Sequence, residues 1–282
     1  MEILTDPAAM QQLALTRRAQ GQRIVLVPTM GYFHAGHLSL MEYGRTQGDL
    51  LVVSIFVNPT QFGPQEDLDR YPRDLDRDCE LAAQQAVDLI FAPTAGQMYP
   101  PGYQTFVEVT EVTRGLCGVS RPTHFRGVAT VVLKLFNLVQ PHIAVFGEKD
   151  YQQLITIQRL VADLNVPVAV VGRPLVREAD GLALSSRNVY LTPEERQAAL
   201  KLSQALFLAR DLAAQGERSR ERLFAAITPL LQSESRLRLD YLSLLDNATL
   251  AELSSIQHTA RLAIAAYVGQ IRLIDNILLE VP

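Results

Sequence analysis

The chain has 282 residues, 48% hydrophobic and 20% charged, with a formal net charge of −4. That length accommodates one large domain or two ordinary ones, and the absence of any Lys/Arg block excludes a broad nucleic-acid surface. The two cysteines, Cys79 and Cys117, form no Cys-x-x-Cys pattern, so neither a disulfide framework nor a zinc site is expected. The longest apolar stretch, residues 128–139, is interrupted by Lys134 and Asn137 and is too short to cross a bilayer. The first residues lack the basic start and apolar core of a signal peptide, so a cytoplasmic protein with no membrane partner is expected.

Asp6 before Pro7 predicts a capped helix over residues 7–19. Short, unalternating apolar runs at 24–27, 50–57, 89–92, 143–146 and 166–171 read as strands covered on both faces. Helical patterns lie between them at 38–47, 75–86, 128–139 and 151–164. Such alternation predicts an α/β fold with a parallel sheet, whose ligands bind outside the carboxyl ends of the strands. The segments there are 29–37, 58–63, 147–150 and 172–186, all polar or glycine-containing. Near residue 177 the pattern changes. Thr192-Pro-Glu-Glu195 is a capping box opening a helix to about 214, and a second helix is expected over 220–232. Alternating runs at 237–244, 261–268 and 272–280 predict a partly exposed antiparallel sheet. Two domains are therefore expected: a larger one over residues 1–176 and a smaller α+β domain over 177–282.

In Pro28-Thr-Met-Gly-Tyr-Phe-His34-Ala-Gly-His37 a strand runs through a glycine-containing loop into a helix start. Unpaired N–H groups and the helix dipole favour an anion there, and Gly36 permits close approach. His34 and His37 either donate to a nucleotide phosphate or are capping or surface residues, the commoner case for an isolated His-x-x-His pair; a zinc site lacks a third ligand nearby. Asn58-Pro-Thr-Gln61-Phe-Gly offers a neutral amide to a small polar substrate, or is simply a turn. In Gly147-Glu-Lys-Asp-Tyr-Gln-Gln153, Lys149 suits a phosphate and Asp150 a ribose, with Gln153 a turn further on; a polar helix start is the alternative. Ser185-Ser-Arg187 suits a polyphosphate or belongs to a linker, and Arg121-Pro-Thr-His124 is similar. Asp74, Asp76 and Asp78 suit either an indirect Mg²⁺ or helix-dipole compensation.

Together these segments resemble the pantoate–β-alanine ligase family, within the nucleotidylyltransferase superfamily. The resemblance spans essentially the whole chain. It includes the histidine motif, Ser54-Ile-Phe-Val-Asn-Pro-Thr-Gln-Phe-Gly63, Tyr71-Pro-Arg73, Arg121-Pro-Thr-His-Phe125, Phe146-Gly-Glu-Lys-Asp-Tyr-Gln-Gln153, Val176-Arg-Glu-Ala-Asp-Gly-Leu182 and Ser185-Ser-Arg-Asn188. It implies a Rossmann-like larger domain, a smaller lid domain and a homodimer through the larger domain. It also implies that ATP and (R)-pantoate form a pantoyl adenylate, releasing pyrophosphate, and that β-alanine then displaces AMP. ATP contacts are implied for Met30, Gly31, Tyr32, Phe33, His34, Ala35, Gly36 and His37, with His37 as proton donor. They are also implied for Gly147, Glu148, Lys149 and Asp150, and for Val176, Leu184, Ser185, Ser186 and Arg187. Gln61 and Gln153 are implied for pantoate, and Gln61 also for β-alanine. His34, His37, Lys149 and Arg187 are the implied catalytic set. Mg²⁺ is expected with ATP, with no direct protein ligand assigned. Leu184 stands where the family usually has methionine, a near volume-conserving change. Ala35 stands where the family varies.

The chemistry suits these residue types. A carboxylate resists amine attack until adenylation supplies AMP as a leaving group, and the charge that builds on the phosphates needs cations and N–H donors. The β-alanine amine, with a pKa near lysine's ~10.4, is unprotonated in only roughly one molecule in 10³ at pH 7; no base is identified. A nucleotidylyltransferase acting on a phosphate ester and a noncatalytic nucleotide-binding regulator are the rivals. An aminoacyl-tRNA synthetase lacks its basic RNA surface here, and a dehydrogenase its Gly-x-Gly-x-x-Gly.

Overall fold

The computed structural model describes residues 1–64 and 66–282. The first strands and helices are β1 (Glu2–Leu4), α1 (Pro7–Ala19), β2 (Ile24–Thr29), α2 (Ala35–Arg45), β3 (Leu50–Ile55), α3 (Leu75–Gln84) and β4 (Leu89–Phe91). Two short helices, α4 (Ala95–Met98) and α5 (Cys117–Ser120), precede α6 (His124–Val139), β5 (Ile143–Gly147), α7 (Tyr151–Asp163) and β6 (Ala169–Arg173). The six strands form one parallel sheet in the order β1-β4-β3-β2-β5-β6. The chain thus moves outward from β2 in one direction, then restarts beside β2 with β5. The carboxyl ends of β2 and β5 flank this change of direction, where such sheets bind ligands. The expected α/β architecture holds.

The buried strands are unalternating because helices cover both faces. Ile24 to Val27 and Leu51 to Val53 are fully buried, and a core of Phe33, Met41, Leu51, Val53, Ile90 and Val145 packs on one side. Burial of this kind stabilises by about 25 cal/mol per Å² of apolar surface. β1 was not legible in the sequence: three residues paired with Leu89–Phe91 are too short to show a period. β6 begins at Ala169 rather than 166, because residues 164–168 lie in the turn that follows α7. Leu164 N–H reaches Leu160 O, Val166 N–H reaches Val161 O, and Asn165 takes φ 51°. α2 begins three residues before the apolar run, since His34 caps it.

The remaining elements are α8 (Pro193–Ala214), α9 (Arg220–Gln232), β7 (Leu237–Leu245), β8 (Thr259–Val268) and β9 (Ile271–Glu280). The strands form an antiparallel sheet in the order β7-β8-β9. Thr192 caps α8 in the expected box with Glu195. Leu202, Leu206, Leu223 and Ile227 of the two helices pack on Leu262, Ile264 and Leu279. β8 is more buried than its alternation predicts, with even Arg261 only 8% exposed.

The chain divides into two compact units. One is Met1–Glu148 with Gln153–Pro174; the other is Leu175–Pro282 with Lys149–Gln152. The main crossing lies two residues before 176/177. A short excursion, Lys149–Gln152, also belongs with the C-terminal residues although it lies between β5 and the body of α7.

Candidate active site

In the first unit, the loop after β2 is shaped by two consecutive left-handed residues, Gly31 (φ 84°) and Tyr32 (φ 52°). They turn the N–H groups of Tyr32 and Phe33 toward Asp78, whose carboxylate accepts them at 2.6 and 2.7 Å. A Cβ on Gly31 would lie 2.9 Å from Asp78 Oδ2 and 3.0 Å from Ile55 Cγ2, so glycine is required by space as well as by φ. Arg77 donates to Phe33 O at 3.0 Å. Both backbone polar groups of Phe33 are therefore engaged, and its ring lies in the core. Tyr32 and Phe33 shape this loop.

Asp78 is a residue whose role the sequence reading missed. Burial pushes its carboxyl up, against the two N–H donors and Arg77, and the net direction is upward. Asp74 instead caps α3, accepting Arg77 N–H at 3.1 Å. The acidic run is thus a loop anchor and a helix cap. The available signal was spacing: Asp78 lies four residues before buried Ala82, hence on the inward face of α3.

At the start of α2 the two histidines cap the helix. His34 Nδ1 accepts Gly36 N–H at 3.2 Å, and His37 Nδ1 accepts His34 N–H at 3.3 Å. Their rings stack at 4.0 Å with 29° between planes. An accepting Nδ1 assigns the proton of a neutral imidazole to Nε2, the nitrogen farther from the backbone. Capping and donation to an anion are therefore compatible roles for one ring.

After β3, Asn58 caps a 3-10 turn over Pro59–Gln61. Its Nδ2 donates to Gln61 Oε1 at 3.1 Å and to Gly127 O at 3.2 Å; its Oδ1 accepts the Tyr99 hydroxyl at 2.9 Å. Burial raises the Tyr99 phenol, keeping it a donor. Gln61 Nε2 reaches Met30 Sδ at 3.2 Å, so two predicted site residues from different loops meet. Gln61 O accepts from Arg121 Nη2 at 3.1 Å and contacts His124 Nδ1 at 2.9 Å. A carbonyl only accepts, so His124 Nδ1 carries hydrogen, and Nε2 then accepts from Arg121 Nη1 at 3.2 Å. Glu66 clamps Arg121 at 2.7 and 2.5 Å. Burial would raise the Glu66 carboxyl, but the Arg121 hydrogen bond and charge hold it below its usual range. α6 approaches this turn closely: a Cβ on Gly127 would lie 2.4 Å from Thr60 O. Arg121 and His124 hold the turn that carries Gln61. Tyr99 had no sequence signal, since it follows a four-residue helix with no period. Gly147 and Glu148 end the β5 crossing in this unit, and Gln153 lies half-buried on α7.

In the second unit, Lys149 Nζ lies 3.7 Å from Asp150 Oδ2. The segment 176–187 is a braced hairpin rather than a plain linker. Leu184 N–H donates to Val176 O at 3.1 Å and Glu178 N–H to Leu182 O at 2.8 Å, so Val176 and Leu184 meet. Ser185 Oγ accepts Arg187 N–H at 3.3 Å, capping a 3-10 turn over Ser186–Tyr190. Asn188 Nδ2 donates to Glu178 Oε1 at 2.9 Å, and Arg196 reaches both Glu178 and Asp180. Among the described residues no cluster of three His, Cys, Asp or Glu side chains forms a metal cage, and no helix is long and apolar enough to cross a membrane.

Relatives match over nearly the full chain. Pantothenate synthetase of Syntrophobacter fumaroxidans is 56% identical over 280 residues, covering 99% of each chain. That of Moorella thermoacetica is 54% identical over 281 residues, covering 100% of this chain and 99% of its own. The crystal structure of pantothenate synthetase from Thermus thermophilus superposes with a TM-score of 0.93 at 47% identity, covering 98% of this chain and 99% of that one. Pantoate-beta-alanine ligase from Francisella tularensis, crystallised with beta-gamma ATP and beta-alanine, superposes at 0.82 with 35% identity, covering 99% and 97%. A family model described as pantoate-beta-alanine ligase matches residues 2–278, and with relatives above 50% identity end to end, the chain belongs to the pantoate–β-alanine ligase family.

Proposed function

We propose that this ligase joins (R)-pantoate to β-alanine in two steps at the expense of ATP. In the first, a pantoate carboxylate oxygen attacks the α-phosphorus, the bond to the bridging oxygen breaks, and pyrophosphate leaves. In the second, the β-alanine nitrogen attacks the acyl carbon, AMP leaves, and the amine loses its protons. Support comes from the family and from the Francisella tularensis relative, which was crystallised with beta-gamma ATP and beta-alanine.

The observation that carries this reading is the pair of histidines at the amino end of α2, each accepting a backbone N–H at Nδ1. That arrangement puts the hydrogen of a neutral ring on Nε2, a donor of the kind that charge developing on phosphate calls for. We assign Met30 and residues 31–37 to ATP, with Gly31, Tyr32 and Phe33 acting through the loop's shape. Gly147, Glu148, Lys149, Asp150, Val176, Leu184, Ser185, Ser186 and Arg187 complete the assignment. Lys149 and Arg187 neutralise the phosphates, and Asp150 accepts from ribose. Gln61 and Gln153 hold pantoate by amides that both donate and accept, and Gln61 also meets β-alanine. Mg²⁺ enters as the counterion of ATP, bringing phosphate and water oxygens as most of its ligands. The same reading makes the protein a cytoplasmic homodimer.

The test is exchange of labelled pyrophosphate into ATP with no β-alanine present. Pantoate-dependent exchange is expected. Absence of exchange, or equal support by a phosphate-ester acceptor, overturns the two-step reading.

A further inference from the structure

Successive residues of a strand point to opposite faces. On β9 this places Asp275 and Asn276 back to back, and each holds a different chain segment. Asp275, 3% exposed, accepts a fork of two hydrogen bonds from Arg177 at 2.6 and 2.8 Å. Arg177 also donates to Gly181 O at 3.0 Å, bracing the 176–184 hairpin. Asn276, 5% exposed, donates Nδ2 to the carbonyl of Lys149 at 3.0 Å. Its Oδ1 accepts from Arg261 Nη1 at 3.1 Å, and the Arg261 guanidinium lies 3.9 Å above the Tyr151 ring. The Tyr151 hydroxyl donates to Asn247 O at 2.9 Å. The excursion Lys149–Gln152 is therefore gripped by residues more than 90 positions later in the chain.

A lysine ammonium sits on a flexible four-carbon stem, so its location depends on how firmly its own backbone is held. We propose that Asn276 is a positioning residue for adenylation: by fixing the Lys149 carbonyl to the C-terminal sheet, it sets where the Lys149 charge meets the ATP phosphates. This rests on the assignment of Lys149 to ATP. The amide chemistry is specific. Asn276 must donate to a carbonyl on one side and accept from a guanidinium on the other, which one terminal amide does at once. An aspartate of the same shape keeps the acceptor for Arg261 but sets a carboxylate oxygen against the Lys149 carbonyl.

The experiment compares Asn276→Asp and Asn276→Ala with Lys149→Ala in two assays. One is pantoate-dependent pyrophosphate exchange. The other is pantothenate formation from supplied pantoyl adenylate and β-alanine, which bypasses ATP. Both Asn276 variants are expected to lose at least tenfold in exchange, with a raised KM for ATP, while the bypass reaction stays within about twofold. Combining Asn276→Asp with Lys149→Ala should add nothing beyond the Lys149 variant alone, since one residue acts through the other. Equal losses in both assays would mean a merely structural role and overturn the proposal. So would an unchanged exchange rate in the Asn276 variants while Lys149→Ala abolishes exchange. If Lys149→Ala itself leaves exchange intact, the assignment of Lys149 to ATP fails first. Asn276→Ser, which retains a short donor, recovers part of the exchange rate if the hydrogen bond to Lys149 is what matters.

Discussion

Asp78 accepts the backbone N–H of Tyr32 at 2.6 Å across 46 residues of sequence. A buried carboxylate in α3 thus fixes the left-handed turn at the mouth of β2, and through it the entry into the histidine-capped helix. Replacing Asp78 by Asn keeps the shape but sets an amide nitrogen against an N–H donor. A hydrogen bond to a charged group contributes about 1.5–3 kcal/mol. Asp78→Asn should lower the urea midpoint by a corresponding amount and raise the KM for ATP. An unchanged midpoint would show that the loop holds its shape without Asp78.

The histidines cap and, on the proposed reading, donate. These roles separate by substitution. Gln at N3 of a helix accepts the N-cap N–H as His37 does here. His37→Gln should therefore retain the wild-type melting transition while losing most pyrophosphate exchange. His37→Ala should lose the exchange and also about 1 kcal/mol of stability with the cap. Activity retained in His37→Gln would leave capping as the sole role.

Gly127 lies against the turn that carries Gln61. A Cβ there would fall 2.4 Å from Thr60 O and 2.7 Å from Gln61 N, both backbone atoms. Gly127→Ala must shift α6 or the turn, at a cost of about 1–3 kcal/mol. Chemical denaturation should register that loss. The KM for pantoate should rise further than the KM for ATP, because the displaced residue is Gln61.

The Glu66–Arg121 pair carries a pH dependence with a definite sign. The Glu66 pKa is lowered in the folded chain from 4.5. Its contribution is therefore complete above about pH 4.5 and is lost as pH falls through the folded-state value. With partly exposed partners the pair contributes about 1 kcal/mol. Glu66→Gln should be less stable than the wild type at pH 7, and the gap between their urea midpoints should close below pH 4.5. A gap independent of pH would assign the effect to packing.

Much of the architecture was legible because it is written in short-range signals. Asp6-Pro7 and Thr192-Pro-Glu-Glu195 cap α1 and α8 where expected, and α9 spans the predicted residues 220–232. Two-sided burial left β2, β3 and β5 as unalternating apolar runs. Strand ends shifted where turn hydrogen bonds intervene, as at residues 164–168. β1 escaped because a strand that short has no period to read.

The sequence by itself determined the parallel sheet, the capped helices and the order of the polar loops at the strand ends. All of these follow from local propensity and the periodicity of burial. Tertiary structure alone decided which groups brace those loops: Asp78 on Tyr32 and Phe33, Tyr99 on Asn58, and Asn276 on Lys149, at separations of 45 or 46, 41 and 127 residues. Such partners leave no local pattern. A buried donor must find an acceptor wherever the fold brings one within reach, and only the packed chain specifies where that is.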